Sequence, residues 1–133
     1  MKTFSEYQKN ALRTASTAVT TEHDLWHGVL GLVTESAEMA DVLKKQHAYG
    51  KPIDLVNLKE ELGDVLWYIA LLCRALDTDM ETIAQANIEK LKIRYPERYT
   101  NEKALNRNLK AERALLEDYK WSFLSNPCKI AYP

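Results

Sequence analysis

Residues 54–76 read DLVNLKEELGDVLWYIALLCRAL. Leu55, Leu58, Leu62, Val65, Leu66, Ile69, Leu72, Cys73 and Leu76 recur three and four positions apart, and on a helix they merge into one broad apolar stripe. Asp54 stands where an N-cap is needed, because its short carboxylate accepts hydrogen bonds from the first free amides. One neighbour cannot cover so wide a stripe. The flanking segments must therefore supply further helices around it, with this one at the centre of the core.

The flanks carry the same period. Upstream, Val29, Leu32, Ser36, Ala40 and Leu43 share a face and predict a helix from about Asp24 to Gln46, stopped by Gly50 and Pro52. Thr3 and Glu6 stand in capping-box spacing and predict a first helix that starts at Thr3 or Ser5 and fades among the threonines of positions 17–21. Downstream, Thr78 and Glu81 repeat that spacing and open a fourth helix, which ends before Pro96. A fifth, rich in Ala, Leu, Lys, Arg and Glu, is expected from about Asn101 to Asp118. The stretch from Ser125 to Pro133 has two prolines and no period, so it is expected to be extended, with Ile130 and Tyr132 placed to dock on a partner chain. Only 4 Gly and 4 Pro punctuate 133 residues, and β-branched alternation is almost absent. The expected fold class is thus all-α, a bundle of four to five helices forming one domain over residues 1–133.

Composition narrows the function. Hydrophobic residues at 46% and charged residues at 28% describe a globular chain and exclude a wholly disordered one. Lys plus Arg is 18 against 19 for Asp plus Glu, a net charge of -1, which argues against a stable nucleic-acid complex. The longest apolar runs, LWHGVLGLV and VLWYIALLC, fall far short of the roughly 20 residues of a membrane helix. The start MKTFSEYQKN has no apolar signal core, so a reducing, cytoplasmic setting is expected, with Cys73 and Cys128 unpaired.

The chemistry lies in carboxylates. Glu35 and Glu38 stand three apart on the second helix, and Glu61 and Asp64 three apart on the third, so each pair projects from one side of its helix. Both pairs flank an apolar stripe, where two antiparallel helices would face each other and where uncompensated charge is costly. Converging carboxylate oxygens are hard ligands of the kind Mg²⁺ takes, with water completing the shell. The alternative is a set of solvated charges paired with Lys44, Lys45 and Lys59. On the fourth helix, Asn87, Lys90 and Arg94 share a face of opposite sign: residues 81–120 carry 9 basic and 7 acidic side chains, whereas residues 35–64 carry 4 and 7. An acidic centre beside a cationic face suits a polyphosphate; the alternative for α-helical lysines and arginines is an ordinary solvated surface.

These residues resemble the MazG-type all-α nucleoside triphosphate pyrophosphohydrolases, whose signature is E-x-x-E, a variable spacer, then E-x-x-D. The chain reads TESAEMADVLKK, 22 residues between Glu38 and Glu61, then KEELGDVLWY, and NIEKLKIRYPERY is similar to the helix that follows. The resemblance covers about residues 25–100. It implies that Glu35, Glu38, Glu61 and Asp64 bind Mg²⁺, with Mn²⁺ a possible substitute, and serve catalysis. It also implies that Asn87, Lys90 and Arg94 contact phosphates and that Tyr68, Trp26 and His23, with His27 and Trp67, lie near the nucleotide. For Trp26 and Trp67, core or interface packing is an equal alternative. The implied reaction converts a (deoxy)nucleoside triphosphate to the monophosphate and pyrophosphate in a homo-oligomer, a dimer or tetramer. A non-catalytic nucleotide-binding protein of the same fold is the alternative. A di-iron carboxylate bundle is disfavoured because no His follows a Glu by three.

Overall fold

The computed structural model describes residues 3–121. Six α-helices and one 3-10 turn, with no strand among the described residues, run in the order α1 (Phe4–Ala11), a 3-10 turn (Leu12–Thr14), α2 (Thr21–Tyr49), α3 (Leu55–Ala75), α4 (Met80–Arg94), α5 (Asn101–Leu105) and α6 (Leu109–Asp118). The expected extended segment 125–133 and Cys128 lie outside the described residues.

Local chemistry explains the boundaries. The first helix ends earlier than expected, at Ala11, and tightens into the 3-10 turn, where the Thr14 hydroxyl donates to the Ala11 carbonyl at 2.8 Å. The second starts earlier, because Thr20 is its N-cap and accepts from the His23 amide; it ends on Gly50, whose φ of 63° is the left-handed conformation that glycine takes without steric cost. Asp54 caps α3 as read, accepting from Val56 and Asn57. Asp79, not Thr78, caps α4 by accepting from Thr82. The expected fifth helix is two, α5 and α6, since Asn106 leaves helical geometry and Asn108 caps a new start by accepting from Ala111.

Antiparallel α2 and α3 form the spine. Two glycines set their register. A methyl group on Gly28 would meet the Leu72 side chain at 2.6 Å, and one on Gly31 would meet the Tyr68 ring at 2.1 Å, so α3 fills the space of the missing side chains. At the far end of α3, Arg74 pairs with buried Asp24 at 2.7 Å. Each turn forward along α2 is thus met by a turn back along α3. The same register, continued, brings the Glu35–Glu38 turn beside the Glu61–Asp64 turn.

The other side of α3 is covered by α1 and α4. Ala70, Cys73 and Met80 are buried there, with Tyr7, Leu12, Ile69 and Ile83 packed around them. Buried Gln8 of α1 locks the α3–α4 turn: its amide donates to the Thr78 carbonyl (3.2 Å) and its oxygen accepts from the Met80 amide (2.8 Å). Cys73 is sealed in, and burial pushes its thiol up to about 11. At the other end of α4, Arg94 grips buried Glu112 of α6 through two bonds of 3.0 and 2.6 Å, and Arg107 adds a second cation through bonds of 3.4 and 2.8 Å. Those cations hold the Glu112 carboxyl down at about 2. No helix of the described residues is long and apolar enough to cross a membrane.

Candidate functional site

Three of the four carboxylates converge. Single oxygens of Glu35, Glu38 and Glu61 all lie within 4.8 Å of one another. Glu61, the residue closest to the helix seam, is only 4% exposed, Glu35 is half-buried and Glu38 is open to solvent. Asp64, one turn beyond Glu61, lines with Glu35 a cavity of about 390 Å³ whose remaining wall is His27, Trp67 and Tyr68. That size is at the lower end of the ~300–1,000 Å³ typical of ligand pockets.

No lysine or arginine pairs with the four carboxylates among the described residues. Lys44 and Lys45, which could have neutralised them, both bind Asp41, at 2.5 and 2.7 Å. Repulsion is therefore left in place. Partial burial, contact with Glu61 and the charges of Glu38, Glu61 and Asp64 push the Glu35 carboxyl above its ordinary value. Burial and the charges of Glu35, Asp64 and Glu38 raise the Tyr68 hydroxyl likewise. Hard oxygen donors, close together, one buried and none offset by a basic side chain, fit a divalent cation.

That electrostatic state makes a testable statement about stability. An acid whose folded pKa is raised keeps a proton that the unfolded chain has already lost, so stability falls as pH rises from 4.5 through the elevated Glu35 value. The depressed Asp41, Glu89 and Glu112 titrate below that window and do not contribute to the slope. Thermal melts of metal-free protein from pH 4.5 upward should show the decline, and Glu35→Gln should flatten it; equal slopes in both proteins would refute it.

Residues that the motif reading passed over complete the site. Asn57, one turn before Glu61, donates from its amide nitrogen to Glu61 Oε1 at 2.6 Å and fixes that buried carboxylate. Its signal was available, since positions four apart share a helix face. Gly31 gives Tyr68 its seat. Two glycines three apart inside a helix cost about 1 kcal/mol each relative to alanine, and such a cost points to a close approach.

The aromatic wall is a chain of edge-on contacts that a tilted His23–His27 pair extends. His23 lies 5.8 Å from His27, His27 lies 6.0 Å from Trp67 and 5.5 Å from Tyr68, and Trp67 stands at 89° to Tyr68 at 5.1 Å. Trp26 is not among them; it is 63% exposed, turned out with Val29, Leu30 and Val33. The structure does not bring Asn87, Lys90 or Arg94 into the cavity. Asn87 is exposed on α4, Lys90 is half-buried and meets no carboxylate among the described residues, and Arg94 is the partner of Glu112.

Comparison with known proteins gives the family. A family model described as the MazG nucleotide pyrophosphohydrolase domain matches residues 27–99, a span that contains both acidic pairs, the aromatic wall from His27 onward and α4. The gene 37 protein of Mycobacterium phage L5 is 38% identical over 69 residues, covering 49% of this chain and 60% of that protein's length. No solved structure matches. With the family's domain matched across more than half of its residues, and that span carrying the converged carboxylates, the chain belongs to the MazG nucleotide pyrophosphohydrolase family.

Proposed function

We propose that the protein hydrolyses (deoxy)nucleoside triphosphates to the nucleoside monophosphate and pyrophosphate with the help of Mg²⁺, for which Mn²⁺ can substitute. The observation that carries this reading is the trio Glu35, Glu38 and Glu61, whose oxygens gather within 4.8 Å beside a cavity walled by aromatic rings. Glu35, Glu38, Glu61 and Asp64 are the residues that would hold the cation. When bound, it supplies charge offset for the triphosphate and Lewis acidity toward water.

The chain's own groups do the rest. Asn57 holds Glu61 in place. Water attacks the α-phosphorus and pyrophosphate leaves; Glu35, beside the cavity, and Glu38, at the solvent edge, are the two groups suited to accept the water's proton. His23, His27, Trp67 and Tyr68 offer ring faces and edges to the base, and exposed Trp26 flanks them on the neighbouring face of α2. A panel of nucleoside triphosphates with Mg²⁺, read by pyrophosphate release, tests the activity. Release from at least one member supports it. Binding without release from any member would replace it with the non-catalytic reading.

The face of α4 bearing Asn87, Lys90 and Arg94 is proposed to contact the phosphates. Bonds to charged groups contribute about 1.5–3 kcal/mol, so Lys90→Ala should raise the Michaelis constant or lower turnover by about ten- to a hundredfold without loss of thermal stability. Arg94→Ala should also melt several degrees lower, because it strips Glu112 of a partner. Unchanged kinetics in both variants would return α4 to the role of a solvated surface.

The assembly is proposed to be a dimer or tetramer. Trp26, Val29, Leu30 and Val33 fall at helical spacing on the side of α2 turned away from α3, and each is about half exposed or more. On α3, Leu55, Leu62 and Leu66 are exposed as well. Apolar faces this long suit a second copy related by two-fold symmetry. Light scattering at micromolar concentration should give a multiple of 15.3 kDa, and Val33→Glu should shift it toward the monomer. A monomeric, fully active native protein would overturn the assembly.

A further inference from the structure

The hydrogen bonding of Trp67 extends the site beyond the residues matched to the family. Its indole N–H donates to the Thr14 hydroxyl oxygen at 2.8 Å, with the Ala11 carbonyl at 3.3 Å. The Thr14 hydroxyl gives its own proton to that same carbonyl, at 2.8 Å. The polarity of the pair is therefore fixed: the hydroxyl proton is committed, and only its lone pairs face the indole. Ala11 and Thr14 belong to the end of α1 and the 3-10 turn, both upstream of the matched residues 27–99.

The same indole is also held by rings. Tyr68 meets it at a right angle and His27 approaches its edge, while the indole lines the cavity that contains Glu35 and Asp64. Two further contacts keep this N-terminal segment seated on α3. The Tyr7 hydroxyl donates to the Gly63 carbonyl at 3.4 Å, beside Asp64, and Gln8 bridges the α3–α4 turn. The helix that leads into the turn is thus fastened to α3 at Gly63 and to the α3–α4 turn, positions that bracket Trp67 along the chain, so the Thr14 hydroxyl is a fixed point against which the indole plane is set.

We propose that Thr14 is a positioning residue of the nucleotide site, acting through Trp67 to set the wall against which the base lies and so to influence which bases are accepted. This rests on the nucleotide reading given above. A ring held only by packing can pivot about its side-chain torsions; one pinned at its N–H cannot pivot without breaking the bond, and a large planar wall of fixed tilt discriminates between one-ring and two-ring bases. Thr14 is exposed, so replacing it opens no cavity in the core.

The test uses the indole proton itself. In ¹⁵N-labelled protein the Trp67 indole signal is identified by its loss in Trp67→Phe, then followed during titration with purine and pyrimidine nucleoside triphosphates in the presence of Ca²⁺. In the wild type the signal should shift on binding. Thr14→Val, which keeps the shape and removes the nearer acceptor so that only the longer contact to the Ala11 carbonyl is left, should speed exchange of the indole proton and weaken nucleotide affinity roughly three- to tenfold, the range expected for one hydrogen bond. It should also change the purine-to-pyrimidine ratio while leaving Mn²⁺ affinity, measured by calorimetry, unaltered. Thr14→Ser should restore all three values. Wild-type nucleotide affinities and base ratio in Thr14→Val would overturn the proposal, as would a parallel loss of Mn²⁺ affinity, which would mark the contact as merely structural. An indole signal indifferent to every triphosphate in a protein that nonetheless releases pyrophosphate would also overturn it, while leaving the proposed activity intact.

Discussion

Glu38→Gln and Asp64→Asn should each lower pyrophosphate release by about 10²–10⁴-fold at saturating Mg²⁺ while the helices remain folded. The size follows from what the carboxylates are proposed to hold, since a catalytic cation contributes several kcal/mol of charge stabilisation and each 1.36 kcal/mol is a factor of ten in rate. Folding should survive because neither residue packs in the core; Glu38 is open to solvent, and Asp64 stands at the mouth of the cavity. Both substitutions remove negative charge from a cluster that no basic side chain of the described residues offsets. Metal-free thermal stability should accordingly hold or rise, and Mn²⁺ affinity should fall in calorimetry. Near-normal release by both variants would sink the metal assignment. Loss of release with unchanged Mn²⁺ affinity would instead give these carboxylates a role toward water or substrate.

Much of this site is readable along the sequence, for a physical reason. Carboxylates that converge from helices need to stand on one face, and a spacing of three expresses that need directly in the chain, as Glu35–Glu38 does; Glu61 joins that pair, and Asp64, three further on, lines the adjoining cavity. The helices themselves are legible from apolar period and caps, and Asp54 ahead of α3 is where the structure has it. Local competition between caps is less so. Thr78 and Asp79 both offer an N-cap oxygen, and Asp79 takes the role because Thr78 is drawn into the turn that closes α3, its amide bonded to the Cys73 carbonyl at 2.9 Å.

Contacts between distant segments leave no such trace. Arg94 binds Glu112, eighteen positions on, and nothing in the spacing of either residue announces the other. The bond from Trp67 to Thr14 spans 53 positions. Such pairs become visible only when the 3-10 turn is placed against α3 and α6 against α4. The glycines are an intermediate case: their position inside α2 signals a close approach, but which ring or side chain comes close depends on the register with α3.

That register makes the strongest test of the aromatic wall. Gly31→Ala places a methyl group 2.1–2.3 Å from three atoms of the Tyr68 ring, against a comfortable carbon–carbon separation of about 3.5–4.0 Å. Either α2 and α3 spread or the ring swings away. Alanine gains about 1 kcal/mol of helix propensity over glycine, and overpacking costs about 1–3 kcal/mol, so the net loss of stability should be small. The effect on turnover should be large, because displacing a substrate-positioning group by about 1 Å can cost about 10²-fold, and Tyr68 lines the cavity with Glu35 and Asp64. Gly28→Ala is the control. Its methyl meets the Leu72 side chain at 2.6 Å, three residues further toward the start of α2, and Leu72 is not a residue of the cavity wall. It should shift the melting temperature comparably and spare kcat/KM. The double variant Gly31→Ala/Tyr68→Ala removes the overlap with the ring, so it should melt above Gly31→Ala alone and remain impaired in turnover. Wild-type kcat/KM in Gly31→Ala, or equal kinetic losses in Gly28→Ala and Gly31→Ala, would show that the seat of Tyr68 matters to helix packing and not to the reaction.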